Sequence, residues 1–393
     1  MGAGQAKAAS ASVGYAIWYS ADPGEQNNVT FTTWTVTSGV FFIEDTGATI
    51  RAGNGCERVT PMKVKCFADI SHEFGYDTFF EVNLGDGDDR LTNETNVPTL
   101  VSAEEGNDVL SGGAGQDEFH GGDGTDVLRG GDGCDMLTGD ADSDFLDGGS
   151  GPDRLGGAGG ADTADYGNRS GSLNVSLDTP ADYGAPRPCE QPGNDGVAGE
   201  GDVVFDDVEN IWGGTGNDIL TGDSDTNVID AGPGNDRLDG GLGADNLIGG
   251  DGQDNAEYMT RTYPAFPTGV FVSLDGVAND GAPNEGDNIF ADIENVWGTS
   301  MNDTLIGAQS VPNMLQGMGG NDTLSGGEPP CGQLCASGRP DRLDGGPGYD
   351  TIDYRGRGSV AASNDGLAND GAAGEMDNDV AFEYVIRDFI RIR

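Results

Sequence analysis

The chain has 393 residues, of which only 35 % are hydrophobic and 69 are glycine, more than twice the usual glycine share, although the length would allow two or three ordinary domains. Nineteen Lys and Arg stand against 68 Asp and Glu, a formal charge of −49, which argues against nucleic acid or an anionic membrane surface as a partner. No run of roughly 18 or more apolar residues is present to span a bilayer, Met1–Ser12 lacks the apolar stretch of a signal peptide, and two histidines are too few for a zinc cluster.

Residues 1–83 hold 12 of the 29 aromatic side chains. Their Val-, Thr-, Phe- and Trp-rich runs predict strands over Ser12–Tyr19, Val29–Thr37, Val40–Glu44 and Phe79–Leu84. Such a region suits a β-rich cap, because the first coil of a repeat array otherwise exposes an apolar layer and a strand edge. Cys56 and Cys66 bracket a short segment that fits a stapled hairpin. Cys331 and Cys335 share one later insertion, while Cys134 and Cys189 show no obvious partner.

From residue 84 a period takes over. Gly85–Leu91 reads Gly-Asp-Gly-Asp-Asp-Arg-Leu and contains Asp89; a degenerate stretch follows. Aspartates then fall at steps of nine: Asp108, Asp117, Asp126, Asp135, Asp144, Asp153 and Asp162. Two residues after each comes an apolar side chain: Leu110, Phe119, Leu128, Leu137, Leu146, Leu155 and Ala164. The full unit is Gly121-Gly-Asp-Gly-Thr-Asp-Val-Leu-Arg129. A second array carries Asp218, Asn227, Asp236, Asp245 and Asp254, and a looser third carries Asp303, Asn313, Asp322, Asp341 and Asp350. Acids that merely solvate a surface scatter, whereas cation ligands recur at fixed offsets.

The arrays alternate with connectors. The organisation expected is a cap over 1–83, arrays over 84–166, 213–258 and 298–354, connectors over 167–212 and 259–297, and a connector with the C-terminal end over 355–393. Each array closes on a tyrosine (Tyr166, Tyr258, Tyr354), and each connector carries an acidic loop, such as Asn279-Asp-Gly to Glu285-Gly-Asp287. Asp275, Asp280, Glu285 and Asp287 bring four carboxylates close in sequence, which fits either an extra cation site or a solvated bulge. The last return strand stops at Arg393, where a fourth array would start, so the sequence fits either a fragment or a divergent closing cap.

Six residues, several of them glycine, make a tight turn that aims main-chain carbonyls inward, because glycine accepts φ > 0. The aspartate closing the turn adds a carboxylate. Calcium takes about six to eight oxygens in forgiving geometry, more than one turn supplies but within reach of two stacked turns. The other three residues form a strand whose middle side chain faces inward, so two nonapeptides make one coil and aspartates 18 apart stack. One leucine-sized group per repeat is little apolar burial against the entropy of ordering nine residues. Metal binding and folding are therefore expected to be one event.

These residues resemble the RTX (repeats-in-toxin) family of calcium-binding β-roll proteins over about residues 84–354, and the glycine–aspartate nonapeptide is itself a known repeat signature. The resemblance implies an all-β, right-handed parallel β-roll (a β-solenoid) of nonapeptide repeats behind the N-terminal cap, several bound Ca2+ ions, and export to the medium or cell surface. It implies as side-chain ligands Asp89, Asp108, Asp117, Asp126, Asp135, Asp144, Asp153, Asp162, Asp218, Asp236, Asp245, Asp254, Asp303, Asp322, Asp341 and Asp350. Asn227 and Asn313 depart from the pattern, and Pro340 with the 328–339 insertion disturbs the turn at Asp341. Many relatives join such repeats to a toxin or hydrolase domain. Here His72-Glu73 lacks a second histidine and no Gly-x-Ser-x-Gly elbow occurs, so the expectation is a calcium-binding protein with no catalytic residues. The alternatives are an adhesin or surface-layer component presenting residues 1–83 to a glycan or protein, and a non-catalytic fragment of a larger toxin or hydrolase.

Overall fold

A computed structural model describes residues 9–13, 16–33, 39–67, 79–179, 193–260, 268–308, 312–327, 342–347, 351–353, 360–361, 371–372, 378–380 and 384–386. All regular elements among them are β-strands. The chain divides into two compact units, residues 1–166 with 174–210 and residues 167–173 with 211–393. His72-Glu73, Asp341, Asp350 and Tyr354 lie outside the described residues.

In the first unit the nine-residue period becomes two parallel sheets. Thr99–Glu105, Glu118–Asp123, Met136–Ala141 and Arg154–Gly159 form one. Val109–Ser111, Val127–Asp132, Phe145–Ser150 and Thr163–Asp165 form the other. Successive nonapeptides thus alternate between sheets, and the register is one coil of two repeats: Phe119 pairs with Leu137 and Leu128 with Leu146. Strand alternation turns the eighth residue of each unit inward. Leu110, Phe119, Leu128, Leu137, Leu146 and Leu155 are all buried, forming a single file of core side chains. The fold is a parallel β-roll.

The N-terminal region joins this stack. Ile17–Ser20 pairs in parallel with Phe80–Asn83, and Asn28–Thr33 pairs in parallel with Arg90–Asn93, so residues 17–33 make a coil ahead of the first nonapeptide. The single strand expected over Ser12–Tyr19 is two: Ala9–Val13 runs antiparallel to Ile17–Ser20, with Ser12 opposite Trp18. Val40–Asp45, Lys63–Phe67 and Cys56–Thr60 extend the sheet antiparallel, and Cys56 is bonded to Cys66. Cys134 is disulfide-bonded as well. Phe80 stacks on Phe31 with ring centroids 4.3 Å apart and meets the edge of Phe41.

The degenerate stretch after Leu91 is also a coil. Its turn is closed by side chains in place of glycines: the Asn93 amide donates to the Val97 carbonyl and the Thr99 hydroxyl, and Asn93 Oδ1 accepts the Thr95 N–H and hydroxyl.

The second unit repeats the scheme with three-residue strands. Ile219–Thr221, Arg237–Asp239, Asn255–Glu257, Asn295–Trp297, Met314–Gln316 and Arg342–Asp344 form one parallel sheet. Val228–Asp230, Asn246–Ile248 and Asn288–Ile289 form a second. Phe271–Ser273, Thr304–Ile306, Thr323–Ser325 and Thr351–Asp353 form a third. Leu220 pairs with Leu238 one coil on, yet Leu315 pairs with Leu343 across the Pro/Cys insertion. Strand register is kept on both sides of the insertion, which itself lies outside the described residues.

Candidate metal centre

The turn aspartates are buried: Asp108, Asp117, Asp126, Asp135 and Asp153 have no exposed surface at all. Each is fixed by one contact that the sequence did not disclose. Oδ1 accepts the backbone N–H of the residue one coil earlier. Asp108 N–H donates to Asp126 at 2.7 Å, Asp126 to Asp144 at 2.7 Å and Asp144 to Asp162 at 2.8 Å. In the other column Asp117 N–H donates to Asp135 and Asp135 to Asp153, both at 2.8 Å. The second unit has the same ladder, from Asp218 to Asp236 to Asp254 and from Asn227 to Asp245. In the third array Asp303 donates to Asp322.

The second carboxylate oxygen behaves differently. Oδ2 of Asp89, Asp108, Asp126, Asp144, Asp153, Asp162, Asp236 and Asp254 is buried and meets no hydrogen-bond donor. In all eight the residue one coil earlier is an aspartate or asparagine. Where that residue is Thr99, Leu173 or Val270, the carboxylate closes on its own turn. Asp117 Oδ2 accepts the Gly113 N–H, Asp218 the Gly214 N–H and Asp303 the Thr299 N–H. Among these ladder aspartates of the described residues, the open oxygen goes with an aspartate or asparagine one coil earlier. A buried polar atom without a partner is costly, so each of the eight calls for a missing positive group.

Burial is the main cause of the weakened acidity of these carboxyl groups. It lifts Asp126 from 3.8 to about 7, Asp144 to about 8 and Asp153 to about 9, ahead of the charge on neighbouring aspartates.

Around the open oxygens of Asp126, Asp144, Asp153, Asp162 and Asp254 there is no space for a side chain, whereas Leu84, Ala103 and Ala231 hold the glycine's place before Asp89, Asp108 and Asp236. A Cβ on Gly121 would strike the Asp126 carboxylate and lie 2.6 Å from the Gly139 carbonyl of the next coil; one on Gly122, where φ is +110°, would strike the Glu104 carbonyl. Gly130, Gly139 and Gly148 sit in the same way against Asp135, Asp144 and Asp153. The glycines thus leave a cradle of carbonyl oxygens and one carboxylate oxygen. No three His, Cys, Asp or Glu side chains converge among the described residues, so a cation in the cradle would take most of its ligands from the main chain. Hard oxygen donors of this kind fit calcium, not zinc or a soft metal.

The model of the RTX calcium-binding nonapeptide repeat matches residues 102–137, 129–164, 205–238, 221–256 and 312–328. The chain carries RTX repeats. No curated protein matches it.

The ends of the RTX columns were not foreseen. Asp202 takes the next ladder place after Asp153, accepting its N–H at 3.0 Å, and Glu209 takes the place after Asp162. Here the other Asp202 oxygen is met, by the buried Tyr166 hydroxyl at 3.1 Å. The second RTX array ends identically: Asp287 accepts the Asp245 N–H and the Tyr258 hydroxyl, and Glu294 accepts the Asp254 N–H. A phenol proton stands where the repeats leave an oxygen open. The acidic connector loop divides its four carboxylates: Asp275 is exposed and Glu285 half-buried, whereas Asp280 and Asp287 lie inside. Asp280 and Asp287 are about 1 % exposed, and Asp280 accepts the N–H groups of Ser273 and Ile289. Only the matching Asp-Gly loops and terminal tyrosines hinted at this. His120 lies on an outer face beside Glu118 and Asp140; hydrogen bonds to Asp140 and Glu118 push it up to about 9.

Proposed function

We propose that the chain is a calcium-folded β-roll that works outside the cell as a structural or surface-binding element, without a catalytic role. The observation that carries this reading is the set of eight buried, donor-less Oδ2 atoms, five of which (Asp126, Asp144, Asp153, Asp162 and Asp254) lie against a glycine that has no room for a Cβ. Asp89, Asp108, Asp126, Asp144, Asp153, Asp162, Asp236 and Asp254 would hold the ions together with turn carbonyls. Asp135, Asp245 and Asp322 occupy the same ladder positions. Asp117, Asp218 and Asp303 anchor the start of one column in each array through two N–H contacts, and Asp341 and Asp350 are assigned from the repeat alone.

A bound calcium supplies the positive charge that the buried carboxylates lack. The rest is done by the protein: Oδ1 holds the register of adjacent coils, the glycines admit the carbonyls, and the leucine file excludes water. With calcium scarce, as in the cytosol, the uncompensated burial of these carboxylates keeps the arrays loose; where calcium is plentiful they close. No helix among the described residues is long and apolar enough to cross a membrane, and the charge of −49 supports a solvated setting without nucleic acid.

Far-UV circular dichroism during a calcium titration tests the reading. Little order is expected in chelator, with a cooperative gain of β signal near millimolar calcium. Magnesium is expected to fail, because it requires octahedral geometry and keeps its waters. A chain that stays fully ordered after exhaustive EDTA dialysis would sink the proposal.

A further inference from the structure

The connectors over 167–212 and 259–297 share one loop design. In the first, Val197-Ala-Gly-Glu200 turns with the Glu200 N–H donating to the Val197 carbonyl at 2.9 Å; in the second, Ala282-Pro-Asn-Glu285 turns with the matching bond, also 2.9 Å. Gly199 has φ +92° and its counterpart Asn284 has φ +73°. Proline at the second place and a left-handed residue at the third define a type II turn. Glycine and asparagine are both favoured at that third place, and the asparagine sets an amide at the tip. Two further positions differ. Asn174 of the first connector corresponds to Phe271, and Ile219 corresponds to Thr304.

These substituted positions line one cleft of about 460 Å³, together with Asn279 and Asn302, within the size range of small-molecule sites, about 300–1,000 Å³. Phe271 is 39 % exposed, standing beside Thr304 in the neighbouring strand. The loop is pinned to that strand, since Phe271 and Gly281 exchange backbone hydrogen bonds of 3.0 and 2.8 Å. No Lys, Arg or His lines the cleft. Asp280, on its floor, has both oxygens engaged by backbone N–H groups. The walls therefore offer an exposed aromatic ring with uncharged amides and a hydroxyl that donate and accept, although Asn302 Oδ1 already accepts the Asn321 N–H at 2.8 Å.

We propose that this cleft binds a neutral saccharide, its ring stacked on Phe271 and its hydroxyls met by Asn279, Asn284, Asn302 and Thr304. A flat apolar face flanked by several hydroxyls matches that lining, whereas an anionic ligand meets no cation and a strongly acidic protein.

Saturation-transfer NMR on the calcium-loaded full chain tests it, with glucose, galactose, mannose, N-acetylglucosamine, maltose and cellobiose as probes and glucuronate as the charged comparison. Saturable binding of at least one neutral sugar is expected, tighter than glucuronate. Phe271→Ala should weaken it by roughly three- to tenfold and Phe271→Trp should retain it, with the calcium-induced β signal of both variants unchanged. Absence of binding by every sugar, equal binding of glucuronate, or full binding by Phe271→Ala overturns the assignment. Should Phe271→Ala disturb folding, Asn284→Gly, which restores the first connector's residue, serves as the second variant. Undiminished binding there counts against the site.

Discussion

Asp126 performs two tasks with its two oxygens, and substitution separates them. Oδ1 accepts the Asp108 N–H at 2.7 Å, while Oδ2 has no donor. Asp126→Asn keeps the first contact and replaces the second oxygen with an amide nitrogen that repels a cation. In the metal-free roll the ionised carboxyl, lifted by burial from 3.8 to about 7, costs on the order of 4 kcal/mol. The neutral amide removes that cost. In excess calcium the variant instead forfeits one ion, worth about 2.7 kcal/mol at a hundredfold excess over Kd. Asp126→Ala loses the ion and the ladder bond together, a further roughly 1.5–3 kcal/mol. Thermal unfolding followed by far-UV circular dichroism should rank wild type above Asn above Ala in calcium. In EDTA the Asn variant should retain at least as much β signal as wild type. The division of labour is refuted if Asn and Ala behave alike in both conditions, or if Asn is less ordered than wild type in EDTA.

Acidity should stand in for calcium. Burial raises the folded-state values of Asp126, Asp144 and Asp153 to about 7, 8 and 9, so between the unfolded value of 3.8 and these values the folded chain binds more protons. Stability of the metal-free chain therefore falls as pH rises through that window, and EDTA-treated protein should gain β signal on acidification from pH 9 towards pH 5; a loss on that path contradicts the sign. Tyr166→Phe and Tyr258→Phe leave a buried carboxylate oxygen short of its donor, 3.1 and 2.8 Å away respectively, and should each cost roughly 1.5–3 kcal/mol in denaturant melts with saturating calcium. Gly122→Ala places a Cβ against the Glu104 carbonyl at φ +110°; a loss of more than about 2 kcal/mol and a weakened calcium midpoint are expected, while an unchanged midpoint would mean the turns are not packed as described.

The coil was legible because its two determinants are periodic. Aspartates at steps of nine and leucines two residues later specify a turn, an inward side chain and a strand, and Leu128 opposite Leu146 follows from doubling the step. The direction of each carboxylate oxygen was not legible. It depends on a backbone N–H one coil away, and a backbone group leaves no mark in a sequence. Asp202 and Glu209 were hidden for a different reason: they continue the ladder from 49 and 47 residues away, with a variable connector between. The Asn93–Thr99 turn went unread because side-chain hydrogen bonds replace the glycine pattern there. At the N-terminus, β-propensity over Ser12–Tyr19 merged a hairpin into one strand.

The alternation of nonapeptides between two sheets, with Asp117 and Asp135 in one column and Asp126 and Asp144 in the other, restricts how such a chain can change length. Removing two consecutive units returns every later residue to the face it occupied before. Removing one transposes everything downstream: residues that faced one flank would face the opposite flank, and both connectors would meet the wrong column. The molecule can be shortened or lengthened without penalty only in whole revolutions.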